Sequence, residues 1–145
     1  MKSFKVAIAG FGGVGRATAS LLLSRHARYR DVYGVDVRLV AVCGSRSGAA
    51  DANGLDAAQL NDLKDGLSGP AFIDASGADI LIEAGPSDFR TGGPGLLYLR
   101  SSLSAGRDTI VISKGALVHS GRELRMLAEG SGTAELQPVS YTHLR

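Results

Sequence analysis

Six residues near the start of the chain, Gly10-Phe11-Gly12-Gly13-Val14-Gly15, restrict the architecture more than any other stretch. They place glycines in the spacing G-x-G-x-x-G, which by itself is a weak signal. The flanks strengthen it. Phe4–Ala9 is a short apolar run containing β-branched residues, as a buried strand is. From Val14 onward, Val14, Ala17, Thr18, Leu21 and Leu22 recur at helical spacing, predicting a helix to about His26. In a strand–turn–helix unit each glycine has a task. Gly10 permits the tight turn, Gly12 removes a Cβ where a diphosphate would approach, and Gly15 lets the helix lie close to the strand. The first amides of that helix, around Gly12, Gly13, Val14 and Gly15, would then lack intrahelical partners and face outward at the positive end of the helix dipole.

The rest of the chain alternates in the same way. Arg28–Asp36 is polar and reads as a connector, and Val37–Cys43 as a second strand. The stretch 44–54 reads as a loop. Asp56 and Gln59 have capping-box spacing, with Leu55 and Leu60 placed as a hydrophobic staple, which predicts a helix from Ala57 to about Lys64. Asp79–Ala84 is a third strand. Pro94 suits an early helical position, Leu96, Leu99 and Leu103 line one face, and Gly106 ends that helix. Thr109–Ile112 is a further strand, and Ser120 and Glu123 predict a second capping box opening a helix that stops near Gly130. Strands alternating with helices imply a single α/β domain of the Rossmann type: a doubly wound parallel sheet covered on both faces.

Composition excludes several alternatives. A formal charge of +2 with scattered Lys and Arg gives no nucleic-acid footprint. No stretch approaches the length of a membrane span, and the apolar run before Gly10 is too short for a signal-peptide core. The single cysteine, Cys43, rules out an internal disulfide and fits a reducing, cytoplasmic setting. At the end of a buried strand it reads as core packing. No Cys/His/Asp cluster has metal-ligand spacing, so no metal site is expected.

The tip of the second strand bears on the choice of dinucleotide. NAD-preferring domains usually carry an acid there that accepts from the ribose hydroxyls. This chain instead reads Cys43-Gly44-Ser45-Arg46-Ser47. Arg46, helped by the hydroxyls of Ser45 and Ser47, is expected to hold a 2′-phosphate, which favours NADP and leaves NAD possible. Gly10, Gly44, Gly85 and Lys114 all fall at predicted carboxyl ends of strands, where open parallel sheets bind ligands.

Two later stretches carry a family resemblance. Ile80–Asp88 (ILIEAGPSD), followed by Gly92-Gly93-Pro94, and Ile110–Val118 (IVISKGALV) resemble the NAD(P)-binding domain of homoserine dehydrogenases. Tyr33–Asp36 and Gly54–Asp56 also fit, so the similarity covers most of residues 4–130, with Ser113-Lys114-Gly115 its most specific block. The resemblance implies reversible hydride transfer between homoserine and aspartate 4-semialdehyde in threonine and methionine biosynthesis. It implies that Gly85, Pro86 and Ser87 border the nicotinamide ribose. Ser113 and Lys114 would lie at the nicotinamide, with Lys114 the catalytic lysine, where a fixed ammonium could stabilise a developing alkoxide. Glu83 is expected to hold the following loop rather than touch a ligand, and His119 to be a surface or capping residue. A cofactor-binding sensor or interaction module without chemistry is the alternative.

The family's complete members continue into a second domain with substrate-binding carboxylates and dimer contacts. Accordingly, residues 1–137 are expected to be the cofactor-binding domain and to bind coenzyme with little turnover, the amino-acid substrate and homodimer belonging to the complete enzyme. The last stretch, Pro138–Arg145, continues no upstream pattern and resembles a read-through peptide seen at the ends of proteins translated from environmental sequence assemblies. His143 and Arg145 therefore carry no argument.

Overall fold

A computed structural model of the chain describes residues 1–131 and 135–138. Its elements follow in the order β1 (Lys2–Ala9), α1 (Gly13–Ser24), α2 (His26–Tyr33), β2 (Val35–Cys43), β3 (Ser47–Ala50), α3 (Ala57–Leu60), β4 (Lys64–Asp65), α4 (Pro70–Ala75), β5 (Ile80–Glu83), α5 (Gly93–Ser104), β6 (Asp108–Val111), α6 (Gly115–Ser131) and β7 (Leu136–Pro138). The strands form one sheet in the order β4-β3-β2-β1-β5-β6-β7. All pairings from β2 across to β7 are parallel, as expected for a doubly wound domain. The direction of winding reverses between β1 and β5, which makes the crevice beyond their carboxyl ends the topological switch point.

Alternation along the strands divides the core between the two faces. Val6 and Ile8 of β1 join Leu39 and Val42 of β2 in one cluster with Phe11, Ala19, Leu55 and Leu60. Ala7 and Ala9 face the other way, against Leu81, Leu96, Leu99, Leu103, Leu124 and Ala128. Small residues on that face of β1 leave room for the leucines of α5 and α6. The β1–β2 register shifts between Val6 and Ala7, whose partners are Leu39 and Ala41. Among the described residues, no helix is long and apolar enough to cross a membrane.

Several local expectations are corrected. The polar connector around residues 28–36 is mostly helix: α2 buries none of its residues, so it shows no apolar stripe. It ends at Gly34, whose φ of 65° forms a left-handed cap and whose amide donates to the Arg30 carbonyl at 3.2 Å. The loop at 44–54 contains β3, antiparallel to β2, and β4 pairs antiparallel with β3, so this edge departs from an all-parallel sheet. A strand reading Ser-Gly-Ala-Ala has no apolar alternation to reveal it. Gly48 is required there because a Cβ would collide with the Leu67 and Val42 carbonyl oxygens. The Asp56–Gln59 capping box forms, with bonds of 2.8 and 2.9 Å, but its helix stops at Leu60 and Lys64 enters β4. The six-residue α4 starts at Pro70, after the Gly69 cap, and was not expected.

At the other end, α6 begins at Gly115, five residues before the expected cap. It bends at Ser120 (φ −140°, ψ 31°). The Ser120 hydroxyl bonds His119 Nδ1 at 2.6 Å, and Glu123 is taken by the guanidinium of Arg100 on α5 at 2.7 and 3.0 Å. The second capping box therefore does not form, because an interhelical ion pair claims its acid. Pro138 closes β7, while residues 139–145 of the expected tail lie outside the described residues.

The contact of α1 with β1 is testable. A Cβ at Gly15 would overlap the Gly10 carbonyl oxygen, which is backbone and cannot rotate away. Gly15→Ala is expected to destabilise the fold by about 1–3 kcal/mol in urea unfolding. A change below about 0.5 kcal/mol would mean that α1 does not lie this close to β1.

Candidate functional site

Four parallel strands bring their carboxyl ends to one edge of the sheet. At β1, Gly10 has φ +99°, a left-handed value that favours glycine, and its amide donates to the Cys43 carbonyl of β2 at 2.8 Å. A Cβ on Gly10 would run into the Gly85 amide and the Ala84 carbonyl carbon, so the turns after β1 and β5 touch backbone to backbone. Gly12 and Gly13 differ: a Cβ on either would have nothing within 4 Å. Gly12 is the N-cap of α1, with no side chain capping the helix and no acid in its first turn. The three glycines thus separate as their spacing predicts. Gly10 and Gly15 are required by the protein's own backbone, and Gly12 keeps open a space in front of bare amides. That space and those amides fit a dinucleotide diphosphate.

The tip of β2 is a tight hairpin. Gly44 donates to the Ser47 carbonyl at 2.8 Å, and Arg46 accepts at its carbonyl from the Gly66 amide, also at 2.8 Å. Ser45 and Arg46 are exposed at the turn and Ser47 is half-buried as β3 begins. Behind them, Ser68 Oγ donates to the Gly44 carbonyl at 2.6 Å, and the Tyr98 hydroxyl of α5 accepts from the Gly69 amide at 3.0 Å. Cys43 is fully buried, with its Sγ 3.4 Å from the same hydroxyl.

Beyond β5 the loop 85–92 is held by its own short-range bonds. Asp88 Oδ1 accepts from the amides of Arg90 and Thr91, and Thr91 Oγ1 from that of Gly93. These bonds hold the Asp88 carboxyl below its usual range. Ser87 Oγ accepts from the Lys114 amide at 3.0 Å, which joins this loop to the turn after β6. A Cβ on Gly115 would overlap the Asp88 backbone, so this junction too is backbone against backbone. Pro86 and Ser87 are exposed, Ser113 is buried, and Lys114 is half-buried. Among the described residues, no carboxylate forms an ion pair with the Lys114 ammonium.

Two features of this edge were not apparent from sequence. The Arg16 guanidinium of α1 stacks over the Phe11 ring at 4.5 Å, and both line a cavity of about 890 Å³ together with Leu39, Leu55 and Leu60. The i, i+5 spacing of an aromatic and an arginine across the glycine turn is the only signal that could have indicated it. The second is the isolation of Glu83, which otherwise holds the following loop as expected. The residue is wholly buried, its Oε1 accepts from the Gly85 amide at 3.1 Å, and its carboxyl packs directly on Gly95 at the start of α5. Burial raises it to about 7, although the Gly85 amide and the adjacent Ser113 lower it in part. The Ser113 amide and hydroxyl both lie near enough to the carboxyl to lower it, yet among the described residues neither Glu83 Oε2 nor Ser113 Oγ reaches a partner in good hydrogen-bond geometry. The Ile-Glu pair at the end of an apolar strand marked the position, but not its isolation.

Bare amides at a helix N-terminus, placed at the switch point of a doubly wound sheet, define a dinucleotide-binding domain of the Rossmann type. Comparison with known proteins makes the assignment more particular. The family model described as the NAD-binding domain of homoserine dehydrogenase matches residues 10–136, and the chain belongs to that oxidoreductase family. An NAD(+)-dependent homoserine dehydrogenase of Pseudomonas canavaninivorans is 32% identical over 149 residues, covering 92% of this chain and 42% of that protein. The homoserine dehydrogenase of Thermoplasma acidophilum superposes with a TM-score of 0.77 at 20% identity, covering 94% of this chain and 43% of that one. A hyperthermophilic archaeal homoserine dehydrogenase in complex with NADPH gives 0.71 at 17% identity, covering 93% and 43%. At such identities the two structures speak to the fold. The chain spans about two fifths of the length of these relatives.

Two expectations follow from the geometry. Gly12 has an ordinary φ of −88° and open space at its Cβ. Gly12→Val should therefore leave the unfolding midpoint nearly unchanged while abolishing saturable coenzyme binding, and a variant that binds like wild type would remove the diphosphate from this turn. Stability should also depend on Glu83. Between the ordinary value of 4.5 and about 7, the native state holds a proton that the unfolded chain has released. Stability contributed by this group is thus complete below about 4.5 and is lost as pH rises towards about 7, a displacement worth roughly 3 kcal/mol. Glu83→Gln should flatten that slope in urea unfolding, and parallel curves for the two proteins would contradict it.

Proposed function

We propose that the chain binds a pyridine dinucleotide, NADP(H) in preference with NAD(H) also accepted, and presents it for hydride transfer between homoserine and aspartate 4-semialdehyde. The observation that carries this reading is the contrast among the glycines: Gly12 faces open space before uncapped amides, while Gly10 and Gly15 are fixed by backbone contacts. The coenzyme, when bound, supplies or accepts the hydride. The amides of Gly12, Gly13, Val14 and Gly15 hold its diphosphate, and Gly85, Pro86 and Ser87 border the nicotinamide ribose. Ser113 keeps Lys114 at the end of β6, and the Lys114 ammonium offsets the charge of an alkoxide as hydride leaves or arrives. The absence of an ion-pair partner for Lys114 among the described residues supports a lysine free to meet a substrate oxygen.

Preference for NADP rests on the exposed Ser45-Arg46 turn and on the lack of an acid at the tip of β2. The relatives use both coenzymes by name, one NAD(+) and one NADPH, so the hairpin of this chain decides. Arg46→Ala is expected to weaken NADPH binding by about tenfold to a hundredfold and to leave NADH unchanged, read by fluorescence titration. Equal loss for both coenzymes, or none, would remove Arg46 from the 2′-phosphate.

We further propose that this chain by itself turns over little homoserine, because the groups assembled here serve the coenzyme side of the reaction alone, and bringing two reactants together needs both faces of a cleft. Homoserine-dependent NADPH formation should lie more than about tenfold below that of a full-length relative under the same conditions. A rate within that range would overturn the expectation.

A further inference from the structure

Glu83 is the most deeply buried carboxylate among the described residues, and its surroundings supply no positive charge. Ala9 of β1 and Gly95 of α5 carry no ionisable group, and Ser113 follows β6. The charged or titratable residues on the adjoining elements are Lys2 and Lys5 on β1, Asp88 and Arg90 in the loop, Tyr98 and Arg100 on α5, Asp108 on β6, Lys114 after Ser113, and His119, Arg122, Glu123, Arg125 and Glu129 on α6, and none of them bonds Glu83. Asp88 is occupied by loop amides, His119 by Ser120, and Arg100 and Glu123 by each other. Glu83 Oε1 has the Gly85 amide, while Oε2 and Ser113 Oγ are buried side by side without partners.

One proton resolves both vacancies in the hydrogen-bond pattern. Placed on Oε2, it donates to Ser113 Oγ, satisfies both atoms and leaves no net charge in the enclosed site. Without that proton, a carboxylate is left with the backbone amides of Gly85 and Ser113 and whatever the Ser113 hydroxyl can turn back to it, with no cation beside it, and an under-solvated charge draws in water. Gly95 blocks entry on its side, since even a methyl group there would overlap the carboxyl. Hydration therefore requires Gly85, Gly95 or Ser113 to move. Gly85 abuts Gly10 of the phosphate turn, and Ser113 precedes Lys114, whose amide is bonded to Ser87.

We propose that Glu83 is a positioning residue whose protonated carboxyl locks the Gly85–Ser87 loop to the Ser113–Lys114 turn, so that coenzyme binds the protonated chain in preference and keeps the proton in place. This rests on the reading of the edge as a pyridine-dinucleotide site. Above neutrality, where the apo chain has released that proton, binding takes one proton from solvent onto Glu83 Oε2. Burial places the exchange near neutral pH.

Titrating the purified chain with NADPH from about pH 6 to about pH 8.5 tests the linkage. Wild-type Kd is expected to rise above the midpoint with a limiting slope of about tenfold per pH unit, the value for one proton. Glu83→Gln, whose amide still donates to Ser113, should follow a flat profile within about twofold after the ligand's own titration, shared by both proteins, is divided out. Ser113→Ala should move the wild-type midpoint to lower pH, because the protonated form loses its acceptor. Calorimetry of the wild type near pH 8 in two buffers of different ionisation enthalpy reads the proton directly and needs no variant; uptake approaching one proton is expected. No uptake, or a Glu83→Gln profile equal to that of wild type, overturns the proposal while leaving the coenzyme reading intact. Lack of saturable binding at every pH in both proteins overturns that reading and the proposal with it.

Discussion

The turns that follow β1 and β5 meet with no side chain between them, and the geometry of the edge depends on this contact. Gly10 presses on Gly85 where the winding of the sheet reverses, and Gly15 presses on Gly10 from the helix behind. Backbone contacts of this kind are stiff, because no rotamer change relieves them. They fix the first turn of α1, and with it the direction in which its bare amides point. The same device recurs one strand over, where Gly115 packs on Asp88. Four strand ends are thus tied into one rim by glycines, and the polar groups that face a ligand sit between those ties.

The polar arrangement beneath the rim follows from the same close packing. An α/β sheet of this kind leaves little room for water under its loops, so a carboxylate at the end of β5 has to be satisfied by what the chain provides. Glu83 receives the Gly85 amide, has Ser113 nearby and lies on the first turn of α5, where the helix dipole favours negative charge, yet burial still dominates and raises its pKa to about 7. Elsewhere, carboxylates are treated in the opposite way. Asp36, itself buried, is held low by Arg38 and His26, and the exposed Glu123 by Arg100. The difference is a basic partner, present beside Asp36 and Glu123 and lacking beside Glu83 among the described residues.

Much of this was legible in the amino-acid order because the physical demands were local. A glycine needed for positive φ, an apolar strand of four to nine residues, and an acid-to-glutamine capping box each announce themselves within a few positions, as Gly10, β5 and Asp56–Gln59 do. What escaped depended on partners distant in sequence. Helix α2 has no buried face, so only its Gly34 cap marks it. Strand β3 is defined by pairing with β2 and by the pressure of Leu67 on Gly48, neither of which leaves a periodic trace. Glu123 looked like a cap until Arg100, 23 residues away, claimed it. Gly10, Gly44, Gly85 and Lys114 were readable as positions at or just beyond strand ends. The isolation of Glu83 was not, since it is produced by Gly95 and Ser113 closing in from two other elements.

The proposed dinucleotide would lie across this rim, its diphosphate on the amides at the start of α1 and its nicotinamide end beside Lys114. Amide-resolved NMR during an NADPH titration tests that placement most directly. Saturating shifts are expected at Gly12, Gly13, Val14 and Gly15 together with Gly85, Ser87 and Lys114, while amides at the opposite end of the sheet, such as Asp79 and Asp108, stay in place. Shifts confined to another surface, or none at the glycine turn up to millimolar ligand, would contradict it.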